Sequence, residues 1–259
     1  MDTNDNLLKA ERHHQIRMLV NKEGRVTVQE LSAQFGVSEA TARRDLEELH
    51  GLGQLQRTHG GAVRAEKTYK EPPMMQRIGE MPSEKERIGR AAAGLIQDNE
   101  TVFFGSGTTV VEIARHLPSD IKLTAITNSV PVINELANHP GIDLIIIGGM
   151  LRKSELSTVG HVSEQAVREF RADRIFLGML AIDIDSGFTS DYLPEVMTDR
   201  AIMNIGRQVV IVADHSKFGR IGSVLVAPVT SANVIVTDSG TPPDIVEHLN
   251  ELGVHVMVV

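Results

Sequence analysis

From Gly36 to Leu46 the chain runs Gly-Val-Ser-Glu-Ala-Thr-Ala-Arg-Arg-Asp-Leu, a tight turn followed by the opening of a helix. Gly36-Val37 supplies the turn. Ser38 is suited to cap the helix because its hydroxyl can accept a backbone N–H that has no partner inside the first turn. At 100° per residue Ala42, Leu46 and Leu49 share one side of a helix reaching to about Leu52, while Ala40, Arg44 and Glu47 lie opposite, flanked by Thr41 and Arg43. Upstream, 10–21 carries Ile16, Leu19 and Val20 at helical spacing and stops at Gly24, and 28–35 is a second, shorter helix. Downstream of Gly53, a β-type segment from Gln54 to Thr58 closes at His59-Gly60-Gly61. Helix, turn, capped helix and short hairpin make a winged helix-turn-helix.

Arg44 points away from the inferred core most directly, where a guanidinium can make a bidentate contact with guanine O6 and N7. Ser38, Thr41 and Arg43 are placed for phosphates or base edges, and Arg57 and His59 on the wing add backbone contacts. The plainer alternative pairs Arg43 and Arg44 with Glu47 and Glu48 at i,i+4 spacing; turn, cap and wing together favour DNA. Residues 1–66 carry nine Lys/Arg against ten Asp/Glu. A single copy is therefore a weak binder of double-stranded DNA, and since protein symmetry normally doubles half-site recognition, a homo-oligomer, dimer or tetramer, is expected.

Around 69–82, Pro72, Pro73, Met74, Met75, Gly79 and Pro82 interrupt any regular period. The expected boundaries are 1–66 for DNA binding, 67–82 for a linker and 83–259 for a second domain. That domain opens with a helix over 83–97 and then alternates apolar strands (101–104, 122–126, 143–147, 174–177, 209–212, 234–236 and 255–258) with helices (110–117, 131–138, 161–170, 194–205 and 244–252). The pattern predicts an α/β, Rossmann-like, mostly parallel sheet covered on both faces, whose ligands bind beyond the carboxyl ends of the strands.

Those ends supply the candidate ligand site. Thr101–Phe104 runs into Gly105-Ser106-Gly107-Thr108-Thr109 and a helix, where close backbone approach, three hydroxyls and free N–H groups suit a phosphate. It is not a Walker A loop, and Val110 replaces the third Gly of a dinucleotide fingerprint. Asn128 and Ser129, Gly148 and Gly149 with Arg152, and Lys217 after the 209–212 strand join it on the same rim. A Lys and an Arg converging on a hydroxyl-lined helix terminus suit a small phosphorylated polyol. Gly187, Thr189, Asp191 and Glu195 form a second polar loop able to close over the site. Asp183–Gly187 reads as a turn rather than a calcium loop, the ten His have no metal spacing and there is no Gly-x-Ser-x-Gly elbow, so neither a metal site nor a hydrolase is expected.

Composition narrows the class. The chain has 259 residues, 41% of them apolar and 3% aromatic, no Cys, no Trp and a net charge of −8, which excludes zinc-finger and disulfide scaffolds and argues against non-specific coating of nucleic acid. Met1–Asn6 is polar and acidic rather than a leader, and no apolar run approaches the ~18 to 20 residues of a membrane span, so a cytoplasmic protein with no membrane partner is expected.

Over nearly its whole length the sequence resembles the DeoR family of bacterial transcriptional regulators. The N-terminal resemblance rests on Glu11-Arg12, Val26-Thr27-Val28-Gln29-Glu30-Leu31, Val37 through Leu46, and Arg57-Thr58-His59-Gly60-Gly61-Ala62. The C-terminal resemblance rests on Gly105 through Thr109, Thr127-Asn128-Ser129, Gly148-Gly149-Met150-Leu151-Arg152, Phe176-Leu177-Gly178 and Ala213-Asp214-His215-Ser216-Lys217-Phe218-Gly219. It implies a second domain similar to ribose-5-phosphate isomerase that senses a sugar phosphate, and a repressor of carbohydrate metabolism genes rather than an enzyme, without a cofactor. Many members carry an Asp just before Gly-Thr-Thr where this chain has Gly105-Ser106, and Ala42 stands where a larger β-branched residue is usual. Two alternatives stay open: a sugar-phosphate isomerase with a DNA-binding appendage, using Glu195 and Lys217 as base and oxyanion stabiliser, and a C-terminal domain that only oligomerises.

Overall fold

The computed structural model describes residues 9–51, 54–63 and 71–259. The expected helix end at Leu52, the break at Gly53, Met1–Asn6 and the first part of the expected linker, including Tyr69, lie outside them. The N-terminal unit contains α1 (Lys9–Glu23), β1 (Arg25–Thr27), α2 (Val28–Phe35), α3 (Glu39–Gly51), β2 (Gln56–Thr58) and β3 (Gly61–Val63). A capping box starts α2: the Glu30 N–H donates to Thr27 Oγ1 at 3.2 Å and the Thr27 N–H to Glu30 Oε2 at 2.7 Å. Ile16, Val20, Leu31, Phe35, Ala42, Leu46, Leu49 and Leu55 form the core. The hairpin gains a third strand, β1, antiparallel to β3. That pairing requires a glycine at 61, where a Cβ would stand 1.9 Å from the Val26 carbonyl oxygen. Inside this core sits a charge that helical spacing had not flagged. Asp45 is buried and accepts from Arg12 at 2.6 and 3.1 Å and contacts His13 Nε2 at 2.9 Å. Hydrogen bonds from Arg12 and His13 outweigh burial and hold its carboxyl below the usual range.

Residues 71–81, expected as linker, instead pack on the C-terminal domain. Met74–Arg77 forms a helical turn, α4; Met74 is buried in the domain's core and its N–H donates to the Ser154 carbonyl at 2.8 Å. α5 (Pro82–Ala93) follows, then β4 (Thr101–Phe104), α6 (Thr108–Arg115), β5 (Leu123–Thr127), α7 (Val130–Leu136) and β6 (Ile142–Ile146). A hairpin, β7 (Met150–Arg152) and β8 (Ser157–Val159), leads to α8 (His161–Arg168) and β9 (Ala172–Gly178). Next come β10 (Ala181–Asp183), β11 (Gly187–Ser190), α9 (Leu193–Met203), β12 (Gly206–Val212), β13 (Val224–Ala227), β14 (Val234–Thr237), α10 (Pro243–Glu251) and β15 (His255–Val258).

Seven parallel strands form the main sheet in the order β15-β14-β12-β9-β4-β5-β6. Alternation along each strand feeds two cores: Phe103, Ile175, Ile211 and Ile235 enter one, and Phe104, Phe176, Val210 and Val236 the other. α5 and α6 cover the second; α8, α9, α10 and the small sheet β10-β11-β13 cover the first. All seven expected strands are present, whereas β7, β8, β10, β11 and β13 went unanticipated. The chain enters the sheet at β4, grows outward to β6, then returns to β9 on the other side of β4. The loops after β4 and β9 therefore diverge, opening a crevice at this switch point. Among the described residues no helix is long and apolar enough to cross a membrane.

Candidate functional site

On the winged helix, Ser38, Arg43, Arg44 and His59 are exposed and Thr41 and Arg57 half-buried. Ser38 caps α3, its Oγ accepting the Thr41 N–H at 3.1 Å and lying 2.9 Å from Thr41 Oγ1. Arg43 pairs with Glu39 at 3.2 Å, one turn back, rather than with Glu47. Glu48 takes Lys9 at 2.6 Å, so neither acid expected to neutralise the arginines does so. Arg44 has no ion pair among the described residues. Arg57 braces the hairpin by donating to the Gly61 carbonyl at 3.0 Å, leaving His59 at its tip.

The crevice between β4 and β9 is a half-open cleft lined mainly by polar groups. Of the residues expected there, Ser106, Gly107, Thr108, Thr109, Arg152 and Lys217 line it, joined by Gly178, Met179 and Ala213. Gly105 is the departure just before Gly-Thr-Thr. A Cβ there would stand 2.5 Å from Leu177 Cδ2 and 3.1 Å from the Phe176 carbonyl oxygen, so a side chain at 105 requires the Leu177 side chain to move aside. Asn128, Ser129, Gly148 and Gly149 do not line the cleft. Asn128 Nδ2 donates to the Thr158 carbonyl at 2.9 Å, Ser129 bridges to Ser157, and Gly149 packs so tightly on Ser163 that a Cβ would stand 2.0 Å from its Oγ. These four fasten the β7–β8 hairpin, which presents Arg152.

The cations of the cleft are all engaged. Arg152 bonds Glu195 and reaches Asp191 at 3.2 Å, with its guanidinium 4.6 Å over the Tyr192 ring. Lys217 donates to Glu71, and the same carboxylate oxygen lies 3.3 Å from Arg77, which also binds Glu155. Glu71, Arg77, Glu155 and Asp199 all line the cleft and escaped sequence reading. The available signal was a Glu and an Arg six residues apart inside a stretch whose prolines and glycine spoke for a linker. Burial pushes Glu195 up to about 7 against the pull of Arg152. Burial, reinforced by Glu195, raises Asp199 well above its usual value. Glu195 Oε1 is buried without a hydrogen-bond partner among the described residues. Lys85, lowered by burial, donates to the Arg77 and Glu80 carbonyls at 2.8 and 2.5 Å and pins 77–80. The turn 183–187 is closed by the Ser186 N–H on Asp183 at 2.8 Å.

A winged helix-turn-helix carried by an α/β domain with a polar cleft at its switch point is the layout of a transcription regulator that answers to a small molecule. Comparison with known proteins agrees. Residues 12–68 match the DeoR-like helix-turn-helix domain and 80–239 the DeoR C terminal sensor domain. The chain belongs to the DeoR family of transcriptional regulators. It is 36% identical over 232 residues to the transcriptional repressor AccR of Agrobacterium fabrum, covering 89% of this chain and 90% of the relative. It is 34% identical over 243 residues to the glycerol-3-phosphate regulon repressor of Escherichia coli K12, covering 94% and 96%. Ribose 5-phosphate isomerase A from Methanocaldococcus jannaschii superposes with a TM-score of 0.38 at 15% identity over 52% of this chain and 53% of the isomerase.

Proposed function

We propose that this regulator represses carbohydrate metabolism genes and that a small phosphorylated sugar sets its affinity for the operator. Arg44 reads a base edge in the major groove, and Ser38, Thr41, Arg43, Arg57 and His59 position the domain on the backbone. The sensor domain takes the phosphate at the start of α6, between Ser106, Gly107, Thr108 and Thr109, with Lys217 as counter-charge; Arg152 serves the rest of the ligand. The observation that carries this reading is the convergence of the α6 start, Lys217 and Arg152 on one cleft at the switch point. A dimer or tetramer presents two winged helices to a palindromic operator. Catalysis is not part of the proposal, because Glu195 and Lys217, the pair an isomerase would need, are neutralised by Arg152 and Glu71.

Fluorescence anisotropy on DNA from upstream of its own gene, at fixed salt, with and without a panel of pentose, hexose and triose phosphates, tests the reading. One compound is expected to shift operator affinity, and Thr108→Val to lose that shift. An unaltered response in Thr108→Val would remove the α6 start from the site, and authentic isomerase turnover lost in Glu195→Gln would replace the binding role by a catalytic one.

A further inference from the structure

The cleft already contains an anion. Glu71 lies just upstream of α4, yet its carboxylate enters the sensor domain, takes the Lys217 ammonium and shares its oxygen with Arg77. All three side chains are about 90% shielded from solvent. A phosphate monoester carries about −1.5 to −2 at neutral pH and seeks the same donors. With Glu71 in place it would meet a carboxylate across a shielded cleft, where like charges repel strongly. Entry of the phosphate therefore requires Glu71 to leave.

Resting on the sugar-phosphate reading of the cleft, we propose that Glu71 is a resident substitute for the effector's phosphate, and that the effector binds by displacing it from Lys217 and Arg77. The segment is built for release at one end. Met74 is buried in the sensor core, Arg77 remains bound to Glu155, and Lys85 holds the carbonyls of Arg77 and Glu80. Glu71, followed by Pro72 and Pro73, is the end nearer the winged helix, eight residues after the last residue of β3. Freed, it swings about Met74 and changes the tether of the DNA-binding unit. Lys217 is also the junction of a second route. The carbonyl of its neighbour Phe218 accepts from Gln54 Nε2 at 3.4 Å, and Gly219 packs against the same Gln54 side chain at the foot of the wing. Exchange of one anion for another on Lys217 thus bears on two of the connections between the units, the tether and the Gln54 contact; the third, Arg17 and His14 of α1 on Asp244 of α10, is remote in sequence from both.

The test uses the full-length protein and inorganic phosphate, at ionic strength held constant with chloride. Calorimetric titration is expected to give about tenfold tighter phosphate binding for Glu71→Gln than for wild type, and at least tenfold weaker binding for Lys217→Ala. Operator affinity of Glu71→Gln without phosphate should match that of wild type saturated with phosphate. Glu71→Asp, which keeps the charge but shortens its reach, should fall between wild type and Glu71→Gln, and serves if Glu71→Gln melts early. Phosphate binding unchanged in Glu71→Gln and Glu71→Asp but lost in Lys217→Ala overturns the displacement and leaves the cleft reading standing. Phosphate binding that is identical in all of them, or absent from all, overturns the cleft reading itself.

Discussion

The two recognition surfaces handle charge in opposite ways. On α3, Arg44 faces solvent without an ion pair among the described residues, and Arg43 has only an exposed partner one turn away. In the cleft, Arg77, Arg152 and Lys217 are each bound to buried or nearly buried carboxylates. A surface that meets DNA can leave cations in water at little cost, because hydration serves until the phosphates arrive. A shielded cleft cannot, since an unpaired charge there costs several kcal/mol. The exposed face of α3 therefore keeps Arg44 available to a partner, whereas the cations of the cleft are satisfied internally.

The sharpest way to break the contrast is to remove a cleft cation and ask whether the fold notices. Arg77→Ala strands Glu155 and is expected to destabilise the sensor domain by about 3 to 5 kcal/mol in denaturant titration. A loss below about 1 kcal/mol would mean that the cleft is wetter than its burial indicates. Next comes protonation. Because burial raises the folded-state pKa of Glu195 from 4.5 to about 7, the folded protein binds this proton more tightly than the unfolded chain. The resulting stabilisation is full below about pH 4.5 and fades as pH rises through 7, a change of ~3 kcal/mol at most. Glu195→Gln should flatten that part of the pH–stability profile, measured against wild type by thermal melts. On the open surface the expected effects are smaller and concern binding alone. Arg44→Ala should weaken operator binding by roughly 1 to 3 kcal/mol and relax preference at one base pair, with melting temperature unchanged. Operator affinity equal to wild type would take Arg44 out of the reading set.

Legibility in the sequence follows the same divide between local and distant causes. α2 was readable to the residue, from Val28 to Phe35, because cap, apolar spacing and terminating Gly36 are all local. The seven core strands were readable because runs such as Val209–Val212 are continuously apolar, as strands buried on both faces must be. The four-residue strands Gly187–Ser190 and Val224–Ala227 were not, since their pairing is with each other across α9 and β12. The burial of Asp45 was not read from the sequence for a related reason. It stands three residues after Ala42 and four before Leu49, on the apolar stripe, and its partner Arg12 is 33 residues away. The cleft was half visible: strand ends announced Thr108, Arg152 and Lys217, while Glu71 and Arg77 were hidden in a proline-interrupted stretch whose burial depends wholly on tertiary contact.

The order of the main sheet also bears on how the molecule is made. β4, β5 and β6 are neighbours in sequence as well as in space, but the seam between β4 and β9 joins positions such as Thr101 and Asp173, 72 residues apart. Closing so long a loop is slow relative to pairing adjacent strands. During synthesis the winged helix emerges well before the cleft, which straddles that seam and lacks lining residues until Val226 has been made. A newly made copy is thus able to meet DNA before it is able to sense a metabolite.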